Sequence, residues 1–380
     1  MADIIIFKGS GQYDALQYFA DKLYEAFIEE NINVRLLDLV ESQLSVDDLE
    51  FLIKNERPKL FIGINTNGFN IGETKYYKFF NVNHLAILID HPIYHLNSLD
   101  FSANTLYISC VDEDRLSFLK DTKNYNRGFL LYHGVDSKIK FNAFDKENDM
   151  VFFGSLYDYE DKRAQWKNKY NDDIIKVLNT ALEIGIYNSF MPVQDIMDLA
   201  LRYCGYELHD YKQIEIGRLL ITEIDGYLRN YHRHKFISNI KENKIVIHGN
   251  GCWDKYFNGC NNIDIRPEVK MNEAVNIMQK SKITINCTIT GMYNGSHERP
   301  FMAAMAGSVV LSNYSPFYER VFGESAVLTN ILDMNDIDNK INGILNDESL
   351  RMNMAYKARK NVAENHTWNS RVRQIMSMLD

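Results

Sequence analysis

A polar loop at residues 295–299 combines a flexible glycine with side chains that can donate hydrogen bonds to an anion. Its members are Gly295, Ser296, His297, Glu298 and Arg299. Pro300 suits the first turn of a following helix, and Gly307 suits its end. Because unpaired N–H groups and the helix dipole attract anions, the pattern predicts a diphosphate site with Glu298 beside it. An ordinary loop between a strand and a helix would show the same pattern.

Other polar residues follow two apolar runs that are typical of buried strands. Asp90 and His91 follow Leu85–Ile89, and His133 follows the run at 129–132. Ligands bind beyond the carboxyl ends of parallel strands, so these side chains are expected at a cleft. Neighbours in an extended segment point apart, so one of Asp90 and His91 is expected to face it as a general base. His91 is preferred because an imidazole has a pKa of about 6.5. The alternatives are a turn cap for Asp90 and a satisfied polar contact for each histidine.

The sequence offers little for a metal or a disulfide framework. His91 and His95 are four residues apart, but Pro92 disfavours the helix that would align them, and no third ligand is nearby. The five cysteines are scattered without a C-x-x-C pair, which suggests a reducing cytoplasm. We therefore expect no metal, no cofactor and a cytoplasmic location.

The elements that position these residues alternate between apolar strands and helices, which predicts α/β domains with parallel sheets. The loop Gly9-Ser10-Gly11 follows the first strand, but Asp14 breaks the dinucleotide fingerprint G-x-G-x-x-G. The expected divisions are a Rossmann-like domain at 1–149, a mainly helical insertion at 150–241 and a second Rossmann-like domain at 242–380. Net charge of −9 argues against nucleic-acid binding, and no apolar run is long enough for a transmembrane helix.

A series of spaced segments resembles the carboxyl domain of GT-B glycosyltransferases, a group 1-related class, with the spore-maturation (CgeB-like) subgroup the nearest match. The segments are Val246–Gly249, Met271–Ala274, Ser281–Asn286, Ser296–Arg299 with Ala306-Gly307, and His366-Thr367-Trp368 near Arg371. Asp90-His91-Pro92 and 133–136 are similar to pieces of the amino domain. The helical insertion lies outside the resemblance.

The resemblance implies two Rossmann-like domains that face a cleft and transfer a sugar without a metal. The carboxyl domain would bind a nucleoside-diphosphate sugar, and the amino domain would bind an acceptor glycan, protein or lipid-linked sugar. In this scheme Gly249, Asn250 and Trp253 line the nucleotide, the loop at 295–299 holds the diphosphate, and Gly9, Ser10, Gly11 and His133 belong to acceptor-side loops. Many group 1 relatives hold the ribose with a glutamate where this chain has Met302 or Ala303; Glu298 could replace it, or the ribose contact could differ.

Three other functions remain open at this point. A sugar-nucleotide epimerase of the same fold would convert the donor without an acceptor. A non-catalytic sugar-nucleotide-binding or scaffold protein would bind the donor and leave it intact. A dinucleotide-dependent oxidoreductase is disfavoured by the broken glycine fingerprint.

Overall fold

The computed structural model describes residues 2–42, 44–71, 74–206, 212 and 215–379. They form two α/β domains, each built on a parallel sheet of six strands. The expectation of two doubly wound domains is confirmed.

The first sheet has the strand order β2-β1-β3-β4-β5-β6. Its strands are β1 (Ile4–Lys8), β2 (Val34–Asp38), β3 (Leu60–Ile64), β4 (His84–Leu88), β5 (Leu106–Cys110) and β6 (Gly128–Leu130). Its helices are α1 (Ala15–Glu29), α2 (Val46–Glu56), α3 (Tyr76–Phe79) and α4 (Glu113–Lys123). The central strands β3 and β4 are fully buried, because helices cover both faces of a parallel sheet.

The second sheet has the strand order β9-β8-β7-β10-β11-β12. Its strands are β7 (Asn148–Phe153), β8 (Ile245–His248), β9 (Ile263–Arg266), β10 (Ser281–Asn286), β11 (Val309–Asn313) and β12 (Ala326–Thr329). The order reverses between β7 and β10, and such a reversal opens a crevice where ligands bind.

The helices of the second half include the short helix that was expected after the polar loop. They are α5 (Tyr159–Ala164), α6 (Trp166–Lys169), α7 (Asp172–Ile186), α8 (Val193–Tyr203), α9 (Glu215–Ser238), α10 (Trp253–Phe257), α11 (Met271–Gln279), α12 (Glu298–Ala306), α13 (Pro316–Phe322), α14 (Ile337–Asn346), α15 (Glu348–Asn365) and α16 (Trp368–Leu379). Gly307 ends α12 with a φ of 85°, which favours glycine.

The helical segment at 150–241 is joined to both domains. Its first strand, β7, is a central strand of the second sheet and pairs with β8. The helices α5 to α9 come between these two strands in the sequence. The same helices pack into the apolar core on one face of the first sheet, through residues such as Trp166, Ile196 and Leu228. The structure therefore places this segment as a bridge between the domains.

The terminal helix α16 belongs to the first domain by its contacts. Trp368, Val372 and Ile375 are buried in one apolar cluster with Phe19 of α1 and Ile4 of β1. The chain thus returns to the first domain after it has completed the second.

Candidate active site

A cleft of about 360 Å³ lies between the carboxyl edges of the two sheets. The first domain contributes the loops after β1, β4 and β6, and the second contributes the loops after β7, β9 and β10. The start of α12, the middle of α9, the end of β8 and parts of α1 and α11 also line the cleft. Both switch regions of the fold therefore meet in one cavity.

Two guanidinium groups share one side of the cleft, that of Arg233, which is buried, and that of Arg299, which is half-buried. Arg299 and Arg233 lie 5.9 and 5.8 Å from the centre of the Phe152 ring. Arg299 donates to the Phe153 carbonyl at 2.6 Å, and Arg233 donates to the Ser155 carbonyl. No carboxylate lies within ion-pair distance of Arg233 among the described residues. Burial and the charge of Arg299 lower the pKa of Arg233 to about 10, so it stays positive at neutral pH without an anionic partner.

Glu298 occupies the first position of α12 and is surrounded by donors. Its Oε2 lies 2.7 Å from His297 Nδ1 and 3.8 Å from His133 Nε2, and its Oε1 lies 3.7 Å from Arg299 Nε. Burial alone would raise the pKa of Glu298, but His297, Arg299 and His133 outweigh it and hold the pKa well below its usual range. Glu298 is therefore a fixed negative charge beside the two guanidinium groups.

Two members of the predicted diphosphate loop, Gly295 and Ser296, pack against the first domain instead. Ser296 is fully buried, its N–H donates to the Val111 carbonyl at 3.1 Å, and its Oγ accepts the His133 N–H at 2.7 Å. A Cβ on Gly295 would lie 2.4 Å from Asp112 Oδ2. The diphosphate expectation is thus corrected for Gly295 and Ser296, because close packing between the domains occupies them, whereas His297, Glu298 and Arg299 line the cleft.

Asp90 faces the cleft and is held by a buried asparagine. Asn65 Nδ2 donates to Asp90 Oδ2 at 2.8 Å, and Asn65 Oδ1 accepts the N–H groups of Ile89 and Asp90. Asn65 adopts a left-handed φ of 54°, which an asparagine tolerates well. One carboxylate oxygen is therefore anchored while the carboxylate remains exposed to the cleft.

His91 points away from the cleft, which corrects the preference for it over Asp90. Its Nδ1 accepts the Ile93 N–H at 3.1 Å, and its ring packs edge-on against Phe118 at 4.8 Å. Burial and the charge of Arg115 lower the pKa of His91 to about 3. The imidazole is a neutral cap for the short helix at Pro92–Tyr94, behind the cleft wall.

The loop after β1 reaches across the cleft to the second domain. Tyr13 Oη contacts Ser155 Oγ, and Gln12 Nε2 donates to Tyr157 Oη at 3.2 Å. Of the three predicted loop residues, Gly11 lines the cleft. Gly9 is buried against Asn67, and Ser10 is exposed outside the cleft.

The three predicted nucleotide residues are not among the residues that line the cleft. Trp253 is 1% exposed, and its Nε1 donates to the Gly154 carbonyl at 3.1 Å, so it is a core residue. A Cβ on Gly249 would lie 2.0 Å from that same carbonyl, so Gly249 is needed for packing. Asn250 is exposed and bonds to the next N–H. His248 and Glu268 line the cleft in their place.

The sequence reasoning missed the basic residues of α9. Arg229 and Arg233 line the cleft, although no residue of the helical insertion was among the expected site residues. A signal was present, because Asp225, Arg229 and Arg233 recur every four residues on a face with buried neighbours.

The described part of the chain offers neither a cluster of metal ligands nor a helix that could cross a membrane. In that part of the chain, no group of three His, Cys, Asp or Glu side chains is placed to hold a metal ion. None of the described helices is both long and apolar enough to cross a membrane.

Comparisons with known proteins agree with this geometry. A family model described as glycosyl transferase-like matches residues 229–377. No curated protein matches the chain.

Three solved structures are similar over nearly the whole chain. An alpha-glucosyltransferase in complex with UDP and a 13-mer DNA containing a HMU base has 10% identity and a TM-score of 0.60, with 99% of this chain and 98% of that chain covered. A sucrose-phosphate synthase from Thermosynechococcus elongatus has 8% identity and a TM-score of 0.57, with 100% of this chain and 98% of that chain covered. AviGT4, a glycosyltransferase involved in Avilamycin A biosynthesis, has 10% identity and a TM-score of 0.56, with 99% of this chain and 96% of that chain covered. This chain has the GT-B fold, and its residues 229–377 are similar to the glycosyl transferase-like family model.

Proposed function

We propose that the protein transfers a sugar from a nucleoside-diphosphate sugar to an acceptor hydroxyl, without a metal ion. The observation that carries the proposal is the pair of guanidinium groups of Arg233, which is buried in α9, and Arg299, which lies in the first turn of α12. Arg233 lacks a carboxylate partner among the described residues, so a ligand anion would supply one. A diphosphate fits because it develops charge as it leaves, and preorganised cations stabilise such charge.

The N-terminus of α12 adds to this anion site. The first N–H groups of a helix have no partner within the helix, and its dipole favours negative charge there. Arg299 belongs to the first turn of α12, so its side chain and the helix end act on the same region. The diphosphate would therefore be neutralised by the protein, which is the basis for proposing a metal-independent reaction.

Asp90 is our candidate for the general base. In the proposed step, the acceptor oxygen forms a bond to the anomeric carbon while the bond from that carbon to the diphosphate oxygen breaks. The acceptor proton passes to the Asp90 carboxylate, and the diphosphate leaves with the electron pair. Attack from the face opposite the leaving group inverts the anomeric carbon. The acceptor would be a glycan, a protein or a lipid-linked sugar, and membership of the spore-maturation (CgeB-like) subgroup is part of the proposal.

The first test measures nucleotide binding by calorimetry and thermal shift with UDP, GDP and ADP. Arg233→Met should weaken the best-bound diphosphate by about tenfold or more, because a charged hydrogen bond is lost. The melting temperature without ligand should not fall, since a buried unpaired charge is removed. Arg163→Met is the matched control, because Arg163 is an exposed residue of the same helical segment that bonds Asn179. Equal affinities in all three proteins would contradict the diphosphate site.

The second test follows a bound nucleotide-sugar in the presence of EDTA. Slow hydrolysis or transfer is expected. Loss of turnover in EDTA with recovery in manganese would contradict the metal-independent reaction. Conversion of the donor sugar to an epimer would identify an epimerase, and an intact donor with every acceptor class would identify a binding protein.

A further inference from the structure

The loop after β1 places a side chain of the first domain against the second sheet. Tyr13 lies in this loop and lines the cleft. Its Oη contacts Ser155 Oγ in the loop after β7, and its further neighbours are the Asn250 N–H after β8 and Glu268 after β9. Ligands of such sheets bind beyond these strand ends, so the phenol occupies part of the binding edge of the second domain.

The backbone of this loop adopts a conformation that side chains disfavour. Tyr13 has a φ of 60° and a ψ of 24°, and Asp14 has a φ of 56° and a ψ of 20°. Both residues are therefore in the left-handed region, which glycine adopts freely but which costs free energy for a residue with a Cβ. Two such residues in succession persist only because contacts elsewhere hold the loop in place.

Asp14 also leaves the start of α1 without its usual cap. It is the N-cap residue of α1, where an aspartate in an extended conformation normally accepts a free N–H of the first turn. Here its side chain makes no cap hydrogen bond and lies 2.9 Å from Lys270 Nζ of the second domain. An extended Asp14 would cap α1 and would release Lys270.

A few polar contacts hold the loop across the cleft. Gln12 Nε2 lies 3.4 Å from Ser155 Oγ and 3.2 Å from Tyr157 Oη, and the Lys270 side chain is 80% exposed. Hydrogen bonds and ion pairs that face water contribute little individually. Two left-handed residues and a missing helix cap oppose them with effects of similar size. The loop is therefore closely balanced between this arrangement and a detached one.

We infer that residues 11–14 form a gate across the cleft, which must detach before a nucleotide reaches Arg233. When the gate detaches, Tyr13 leaves the edge of the second sheet and Asp14 turns to cap α1. The carbonyl of Ser155 accepts from Arg233, so the gate ends beside the guanidinium groups. The inference goes beyond the proposed function, because it concerns entry to the cleft and not the reaction inside it.

Thiol modification tests the gate without a ligand. Ser155 is 6% exposed and contacts the gate, and Ser155→Cys puts a small thiol at this position. N-ethylmaleimide should modify this thiol more slowly than exposed Cys260 and faster than buried Cys110, with mass spectrometry to separate the sites. Adding Tyr13→Phe, which keeps the ring and removes the hydroxyl, should raise the rate about threefold or more, because the gate loses a contact.

The control variant is Tyr24→Phe, which makes the same change at a half-buried residue of α1 outside the cleft lining. It should leave the rate of modification unchanged. The gate is overturned if the introduced thiol reacts as fast as Cys260, if it stays as unreactive as Cys110 in every variant, or if Tyr13→Phe leaves its rate unchanged.

Stopped-flow binding of UDP, GDP and ADP to the chain with its native Ser155 tests control of entry. Tyr13→Phe should raise the association rate constant of the best-bound diphosphate about threefold or more and tighten its binding, because a larger fraction of the protein is open. Weaker binding would show that the phenol holds the ligand, and this result would overturn the gate. If none of the three diphosphates binds, the proposed function fails, and the thiol measurement alone decides the gate.

Discussion

Asp90 and His91 are adjacent in the chain, yet the fold gives them opposite surroundings. Asp90 faces the cleft and is held by Asn65, whereas His91 caps a short helix behind the wall. The alternation of an extended segment indicated that only one would face the substrate. Which one does so depends on how β4 packs between its neighbouring strands, and this choice is made by tertiary structure.

The pair allows a matched test of the base. Asp90→Asn keeps the size and the contact with Asn65 but removes the basic oxygen, and should reduce turnover at saturating donor by about 10²–10⁴. Donor affinity should change little, because Asp90 lies across the cleft from the guanidinium groups. His91→Asn preserves a helix cap and should keep more than about a tenth of the wild-type turnover. Near-normal turnover by Asp90→Asn would show that Asp90 is not the base, as expected for a reaction that retains configuration.

The Lys146 side chain caps the carboxyl ends of two helices. Its ammonium donates to the carbonyls of Gln279 at 2.9 Å and Gly307 at 2.8 Å, which end α11 and α12, and to Asn142 at 2.5 Å. Cations stabilise helix carboxyl ends because they meet the free carbonyls and the negative end of the dipole. Lys146 therefore fastens the segment between the domains to the element that begins at the cleft.

Lys146→Met should lower the free energy of unfolding by about 0.5–1.5 kcal/mol, because a donor to several carbonyls is lost. Burial lowers the pKa of Lys146 to about 7, so the cost of burying its charge offsets part of the gain from these contacts. Lys140→Met changes an exposed lysine of the same segment and should stay within about 0.5 kcal/mol of the wild type. Urea denaturation of the three proteins measures both effects. Equal stability of the two variants would show that the carbonyl contacts contribute nothing.

The sequence located elements better than it located their contacts. The apolar run Leu85–Ile89 was expected to be a buried strand, and β4 spans His84–Leu88 and is buried throughout, as is typical of a strand that is covered on both faces. The loop–helix–strand unit ending at Gly307 and β11 also has the expected order. Asp90 and Gly11 were expected near the cleft because they follow strands, and Arg299 because it precedes a helix; all three line the cleft.

The failures concern residues whose role depends on a distant neighbour. Gly249 and Trp253 look like ligand residues, but they serve the packing around the Gly154 carbonyl. Ser296 looks like a phosphate donor, but it bonds His133 from the other domain. Arg233 looks like a solvated charge on a polar helix, and only the position of α9 across the sheet edge buries it. The partners of these residues are distant in the sequence, so the residue pattern of a single segment cannot reveal them.

Across the whole molecule, several histidines are buried in the neutral form. Burial lowers the pKa of His84 and of His133 to about 3, although Glu298 opposes the effect at His133, and it lowers the pKa of His232 to about 4. In the unfolded chain each would take up a proton near pH 6.5. The unfolded state therefore binds more protons between pH 6.5 and 4, and the folded state is progressively destabilised as the pH falls.

The free energy of unfolding should decrease from pH 7 to pH 5, by up to about 1.4 kcal/mol per pH unit for each of these histidines below pH 6.5. Chemical denaturation at pH 7, 6 and 5 measures the slope. His232→Gln removes one titrating group and should make the slope shallower. A stability that stays constant or rises toward pH 5 would contradict this account.

The return of α16 to the first domain also has a consequence for synthesis on the ribosome. Trp368 and its neighbours complete an apolar face that β1 and α1 begin, and a Cβ on Gly134 would lie 2.4 Å from the Trp368 ring. This helix is translated about 240 residues after β6. At roughly 5–20 residues per second, the nascent first domain waits roughly 10–50 s with part of that face uncovered. We therefore expect the nascent amino-terminal domain to expose this apolar face and to be open to chaperone binding until α16 is made.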